Sequence, residues 1–249
     1  MHDSSTRTLI RPDAGWTLSL YPDAGEAGGS FVPSARRTYT GVRGAAADPD
    51  RARAEAARRA RGKVRRYCAA HGLNRLGTLT YAPPFCTDPD QLREDVGLFF
   101  RNLRAALGGK PLPYLWVAER HADAERFHVH FAVGQYVRRS LIETAWGHGF
   151  VHIKLLGDLP VGSTTWDEAR AAARYLSKYV GKNFEDDQSG RHRYEVAQGF
   201  TPRRIRFTGR TMIEVLDQAV DHIGRAPSMY WNSEDVEDWR GAPAVWVAW

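Results

Sequence analysis

Cysteine is nearly absent from the sequence, with only Cys68 and Cys86 among 249 residues. One pair cannot form a disulfide framework, and neither cysteine lies at a spacing typical of a metal site. We therefore expect a reducing environment, most simply the cytoplasm.

Long apolar runs are also missing. No stretch of about 18 apolar residues occurs, which excludes a membrane-spanning helix of ordinary length. The opening residues, MHDSSTRTLIRPDAGW, have no apolar run behind a basic start, so we expect no secretory signal. What is present is 43% hydrophobic and 26% charged residues, with 8 Trp, 10 Tyr and 10 Phe. This composition is globular and excludes wholesale disorder.

Positive charge is in excess and is concentrated in one segment. The 35 Lys and Arg outnumber the 29 acids, for a net charge of +6. Residues 51–67, RARAEAARRARGKVRRY, hold eight basic side chains and one acid. Such a block favours binding to a phosphate backbone through counterion release, although a solvated basic helix would look the same. With the later RRIRFTGR, the candidate DNA contacts are Arg58, Arg59, Arg61, Lys63, Arg65, Arg66, Arg203, Arg204 and Arg206.

Composition and periodicity divide the chain into four parts. Residues 1–50 are rich in Gly, Pro, Ala and Asp and are interpreted as an extension. Residues 51–72 are the basic helix, 73–185 a core, and 186–249 a second extension with a Trp-rich tail that could stack on bases or pack.

The core pattern predicts an α+β fold. Strands are predicted at LGTLTYAPP, YLWVAER, RFHVHFAVG and GHGFVHIKLL, and helices after Asp88, in RRSLIETAW and in WDEARAAARYLSKYVGKNF. YLWVAER and RFHVHFAVG are separated by a short polar turn, so they form a hairpin, which excludes a purely parallel sheet. We expect a mostly antiparallel sheet of four or five strands with helices packed on it.

Two histidines share one face of a predicted strand. In HVHFAV, His128 and His130 are two residues apart, while Val129 and Phe131 point to the other face. Two imidazoles so placed can converge on one divalent ion. Glu119, at the end of the preceding strand, would lie across the hairpin and complete a His/His/Glu ligand set. The alternative is a half-exposed sheet face with two solvated histidines.

Two tyrosines share one face of a predicted helix. In ARYLSKYVGK, Tyr175 and Tyr179 are at i and i+4, and Lys178 is one turn beyond Tyr175. Ala169, Ala173, Leu176 and Val180 form the stripe that should face the sheet, which leaves Tyr175 as the freer hydroxyl. Ionising a tyrosine at pH 7 costs about 4 kcal/mol, which a metal ion and a nearby ammonium could offset. The alternative is that both tyrosines simply pack.

Together these motifs resemble the HUH endonucleases, in particular the rolling-circle replication initiators of plasmids and small single-stranded DNA phages. Thr78 to Tyr81, TLTY, is similar to the first motif of that family. The histidine–hydrophobic–histidine strand preceded by an acid is similar to its metal motif, and Tyr175 to Lys178 to its nucleophile motif. Tyr179 is similar to the second tyrosine of the two-tyrosine branch. The resemblance covers roughly residues 73–185.

The resemblance implies a metal-dependent nicking and closing enzyme for origin DNA, single-stranded or hairpin. His128, His130 and Glu119 would hold the ion, with Mg²⁺ and Mn²⁺ both open. Tyr175 would attack phosphorus, leaving a 5′-phosphotyrosyl link and a 3′-hydroxyl that primes a host polymerase. Tyr179 would take a second cleavage. A host helicase is a possible partner, and monomer and dimer both stay open.

Three other functions fit the same residues. One is a single-strand transposase of the same superfamily, with one active tyrosine. Another is a non-catalytic, sequence-specific DNA-binding regulator. The third is a zinc-assisted hydrolase in which the tyrosines only pack.

Overall fold

A computed structural model describes residues 14–34, 48–121, 126–155, 163–182 and 194–249. Over these residues the helices are α1 (Pro49–Ala70), α2 (Pro89–Ala106), α3 (Arg139–Trp146), α4 (Thr165–Lys182) and α5 (Met212–Ile223). The strands are β1 (Gly15–Tyr21), β2 (Glu26–Val32), β3 (Arg75–Tyr81), β4 (Tyr114–Arg120), β5 (Phe127–Val133), β6 (Gly149–Leu155), β7 (Tyr194–Val196), β8 (Ile205–Gly209), β9 (Met229–Asn232) and β10 (Ala244–Ala248).

The described residues form two compact units. One unit lies within residues 48–202, and the other combines residues from 1–47 and from 203–249. Each unit contains one five-stranded sheet, and every strand pairing in both sheets is antiparallel. The predicted α+β class is confirmed, and so is the antiparallel sheet of the core.

Local sequence signals explain where the first helices of the 48–202 unit begin. The Asp48 side chain accepts a hydrogen bond from the Arg51 amide at 3.0 Å, and Pro49 occupies the first turn of α1. Asp88 accepts in the same way from the Asp90 amide at 2.8 Å, with Pro89 in the first turn of α2. A carboxylate cap favours helix initiation, and so does a proline in the first turn, because proline has no backbone N–H that would need an acceptor there. These helix starts were therefore predictable.

The core sheet has the strand order β6-β3-β5-β4-β7 and is covered on both faces. On one face, α2 and α3 bury an aromatic-rich cluster that includes Phe99, Phe131 and Trp146. On the other, α4 packs on β4 and β5 and against α1, around Val117, Ala132 and Leu176. The alternation predicted for HVHFAV is confirmed, because Val129 and Phe131 belong to the first cluster and Ala132 to the second.

The other unit contains a sheet that the sequence did not predict. Its strand order is β8-β1-β2-β10-β9, and α5 packs on β8, β1 and β2. Within the predicted N-terminal extension, Gly15–Tyr21 and Glu26–Val32 are therefore strands, and within the Trp-rich tail Met229–Asn232 and Ala244–Ala248 are strands. The predicted boundaries at 50, 72 and 185 stay predictions, and within the structure α1 packs with the core elements.

None of the helices in the described ranges is both long enough and apolar enough to cross a membrane.

Candidate metal and tyrosine site

Strand register brings the three predicted metal ligands together. In the β4–β5 hairpin, Glu119 is the direct partner of His128, and Val117 is the partner of His130. The turn residues 122–125 lie outside the described part of the chain, but the register of the two strands places the acid beside the histidines. Opposite residues on one face of an antiparallel pair have side chains close enough to touch.

The three side chains converge on one point. Glu119 Oε2 lies 2.8 Å from His128 Nε2 and 2.8 Å from His130 Nε2, and the two Nε2 atoms are 3.0 Å apart. Neighbouring ligands around an octahedral ion at about 2.1 Å are separated by about 3.0 Å. Two imidazoles and one carboxylate are also a donor set that suits a divalent cation. The residues present therefore fit a metal ion, and they could hold one.

Burial gives this cluster a sheltered position. The side chains of Glu119, His128 and His130 are 16%, 14% and 6% exposed. No other cluster of three such side chains suited to a metal occurs among the residues that the structure describes. A carboxylate that is largely removed from water needs compensating partners, and the two imidazoles beside Glu119 supply them.

A threonine on the neighbouring strand orients one of the imidazoles. Thr78 on β3 is the direct partner of His130, and its Oγ1 lies 3.1 Å from His130 Nδ1. With Nδ1–H donating to this hydroxyl, the Nε2 lone pair of His130 is available to the cluster. His121, directly after the hairpin strand that carries Glu119, packs its ring edge-on to His128 with the centroids 4.8 Å apart.

The two tyrosines of α4 lie at the same cluster. The Tyr179 ring stacks on the His130 ring with the centroids 3.9 Å apart and the planes 19° apart. The Tyr175 ring meets His130 edge-on at 6.1 Å. The Tyr179 hydroxyl donates to the Tyr175 hydroxyl at 2.8 Å. Both phenols are half-buried, so neither is a simple surface group.

Packing of α4 explains why the tyrosines face the sheet. Ala169, Ala173 and Leu176 are fully buried, as the predicted stripe requires, and Ala172 is buried with them. The side chain of Val180, the fourth member of that stripe, lies outside the described residues. Small alanines let the helix approach the sheet closely, and they bring the adjoining tyrosine edge against His130.

Burial also changes the acidity of one phenol. It raises the pKa of Tyr179 above its ordinary value, and the hydrogen bond to Tyr175 and the charge of Glu119 act in the same direction. Tyr179 is therefore protonated at neutral pH, as its role as hydrogen-bond donor to Tyr175 requires.

The start of α4 is fixed by a reciprocal cap that the sequence analysis missed. Asp167 Oδ2 accepts from the Thr164 amide at 2.8 Å, and the Asp167 amide donates to Thr164 Oγ1 at 3.3 Å. The pKa of Asp167 is lowered because its Oδ2 accepts from the Thr164 amide and also, at 2.7 Å, from the Thr164 hydroxyl. The signal was the spacing of a threonine and an acid three residues later, directly before the predicted helix.

The remaining predicted site residues lie outside the cluster. Lys178 is exposed on α4. On α1, Arg58, Arg59, Arg61 and Lys63 are exposed, whereas Arg65 and Arg66 are half-buried. Arg203, Arg204 and Arg206 are exposed in the other unit, at or next to its edge strand β8. Thr78 belongs to the TLTY motif, but no role was predicted for it.

Residues 74–184 match the model of a family described as Replication-associated protein ORF2, over somewhat less than half of the chain. The match contains both the histidine strand and the tyrosine helix. No curated protein and no solved structure matches the chain significantly.

Proposed function

We propose that this protein is a rolling-circle replication initiator that nicks and rejoins single-stranded or hairpin origin DNA through a tyrosine. One observation carries the proposal: two half-buried tyrosines of α4 pack on the imidazole of His130, within a cluster of two histidines and one glutamate. The match to a replication-associated family model over the same residues supports it.

Glu119, His128 and His130 would hold the ion, as Mg²⁺ or Mn²⁺. When bound, a divalent ion neutralises charge on a phosphodiester and so makes its phosphorus a better electrophile. Thr78 fixes the orientation of His130, and α4 keeps the phenols beside the ligands. Because these positions are set before DNA binds, little reorganisation is needed when the phosphate arrives.

Tyr175 is the proposed nucleophile of the first cleavage. Its oxygen forms a bond to phosphorus while the bond from phosphorus to the 3′-oxygen breaks. The phenol proton leaves to solvent, and the 3′-oxygen takes up a proton, so the products are a 5′-phosphotyrosyl link and a 3′-hydroxyl. The hydrogen bond donated by Tyr179 stabilises negative charge on the Tyr175 oxygen during this step.

Tyr179 is the proposed nucleophile of a second cleavage. Its hydroxyl lies 2.8 Å from that of Tyr175, so both oxygens can reach a phosphate in nearly the same place. The 3′-hydroxyl freed by the second cleavage then attacks the phosphorus of the Tyr175 phosphotyrosyl link. The bond from phosphorus to the Tyr175 oxygen breaks, the tyrosine takes up a proton, and the strand is rejoined. This pairing favours a two-tyrosine initiator over a transposase with one active tyrosine.

The exposed cations of α1 are proposed to contact DNA phosphates. Arg58, Arg59, Arg61 and Lys63 are exposed on a helix that packs against α4, and Arg59 also forms an ion pair with Glu55 at 3.6 Å. Their contribution would be independent of sequence and would weaken with salt. The other proposed contacts are Arg65, Arg66 and, in the other unit, Arg203, Arg204 and Arg206.

A covalent-adduct assay tests the proposal. The protein is incubated with single-stranded DNA from the origin of its replicon and Mn²⁺, and then separated on a denaturing gel. We expect a protein–DNA band that chelation abolishes and that is lost in the Tyr175→Phe, Tyr179→Phe double variant. Tyr136→Phe, in a tyrosine that is 73% exposed and outside the cluster, is the matched control and should retain the band.

Other outcomes separate the alternatives. Binding without cleavage by the wild-type protein would support a DNA-binding regulator. Cleavage without an adduct would support a metal-dependent hydrolase in which the tyrosines pack. Either result would overturn the proposal.

A further inference from the structure

The edge strand β6 carries an exposed surface that the chemistry above does not use. Along it Phe150, His152 and Lys154 alternate with Val151 and Ile153. Val151 and Ile153 pack in the cluster under α2 and α3. Phe150, His152 and Lys154 are exposed on the opposite face, and the Phe150 side chain is 69% exposed although it is large and apolar.

Strand register makes this surface continuous with the metal and tyrosine site. One row of paired residues crosses the sheet from Phe150 on β6 through Thr80 on β3 and His128 on β5 to Glu119 on β4. In the next row, His152 is the partner of Thr78, which is the partner of His130. Neighbouring strands are about 4.8 Å apart, so Phe150 and His152 lie about 10 Å from the histidine ligands on one sheet face.

The chemistry of the surface suits a nucleic acid without a paired strand. An exposed aromatic ring and an imidazole offer stacking surfaces, and the ammonium of Lys154 offers charge to a phosphate. Among the described residues of β3 and β6, those on this face are Leu76, Thr78, Thr80, Phe150, His152 and Lys154, and none of them is an acid. Bases inside a duplex cannot stack on a protein ring, because both of their faces are covered by neighbouring base pairs.

We propose that Phe150, His152 and Lys154 form a binding subsite for single-stranded DNA beside the scissile phosphate. Phe150 stacks on an unpaired base, and Lys154 contacts the backbone further along β6. This proposal rests on the proposed function in one respect only, namely that the bound nucleic acid is the DNA that the protein cleaves. The subsite positions DNA and takes no part in the chemical step.

Binding of labelled oligonucleotides to the full chain, measured by fluorescence anisotropy in EDTA, tests this subsite without cleavage. We expect Phe150→Ala to weaken binding of single-stranded DNA about tenfold and to leave binding of the matching duplex unchanged. Phe150→Trp should restore the affinity. Lys154→Gln should reduce the slope of log affinity against log salt by about 0.7. Tyr136→Ala removes a similarly exposed aromatic side chain elsewhere in the same unit, and it should have no effect.

The outcomes distinguish a failure of this inference from a failure of the proposed function. Unchanged single-strand binding in Phe150→Ala, or an equal loss on the duplex, overturns the subsite even when the wild-type protein forms its covalent adduct. Selective loss in Phe150→Ala, together with no adduct from the wild-type protein, supports the subsite and overturns the proposed function. Because Phe150 is solvent-exposed, unfolding is not expected, and an unchanged melting temperature checks this.

Discussion

Replacing Glu119 by glutamine removes the only negative charge among the three converging ligands while it keeps the side-chain shape. The amide oxygen can still occupy the position of Oε2, which lies 2.8 Å from both Nε2 atoms. An amide binds a divalent cation far more weakly than a carboxylate does, so we expect the Kd for Mn²⁺ to rise at least about 100-fold, as for loss of a key contact in a metal site.

The effect on stability follows from this change in affinity. At an Mn²⁺ concentration of 100 times the wild-type Kd, binding stabilises the folded state by about 2.7 kcal/mol. In Glu119→Gln the same concentration only equals the Kd, and the stabilisation falls to about 0.4 kcal/mol. The unit that contains the site spans residues 48–202. For a unit of this size 1 kcal/mol shifts the melting temperature by about 2–4 °C, which gives about 5–10 °C for wild type and about 1 °C for the variant.

Thermal unfolding of protein stripped with EDTA, with and without added Mn²⁺, measures this difference. The control is Glu94→Gln, which neutralises an exposed carboxylate of α2, on the other side of the sheet. It should retain the full shift. Equal shifts in wild type and Glu119→Gln, or no shift in wild type up to millimolar Mn²⁺, would refute the assignment of this cluster as a metal site.

Three further predictions concern the elements that hold the site in place. Thr164→Ala should destabilise the protein by about 1 kcal/mol in urea at pH 7 through loss of the α4 cap. The pKa of Asp167 is lowered in the folded state, so its carboxylate contributes stability above the unfolded pKa, and this contribution is lost as the pH falls through the folded pKa. The difference in free energy of unfolding between wild type and Thr164→Ala should therefore narrow as the pH is lowered below 3.8, and a constant difference would contradict the cap. Burial raises the pKa of Cys68 to about 12, so this thiol should react with a disulfide reagent at pH 8 only after unfolding, and rapid native labelling at Cys68 would contradict its burial. Gly77→Ala should lower stability by about 1–3 kcal/mol, because the added Cβ would lie 2.2 Å from ring atoms of Phe131; an unchanged urea midpoint would contradict this packing.

Much of the site was predictable because it depends on strand periodicity. A period of two placed His128 and His130 on one face, and the hairpin placed Glu119 opposite, which the register confirms. The position of the tyrosines could not be predicted from the sequence alone, because helical spacing shows only that they share a face of α4 and not what that face contacts. That Tyr179 rather than Tyr175 has its ring stacked on His130 depends on how closely the alanines let α4 approach the sheet.

The second sheet could not be predicted for a different reason. β1 pairs with β8, and β2 pairs with β10, across nearly the whole length of the chain. No local turn signals such pairings, and Gly28 and Gly29 weaken the strand pattern of β2. In the tail, β9 and β10 are short segments whose burial comes from their neighbours in the sheet rather than from a long apolar run.

The most direct test of the central claim is tandem mass spectrometry of the covalent adduct after proteolysis and nuclease digestion. The account predicts a phosphodeoxynucleotide on Tyr175 when a single cleavage site is supplied, and on Tyr179 when a second site is supplied after the first has reacted. A modification on any residue outside α4, or cleaved DNA with no modified peptide, would contradict it.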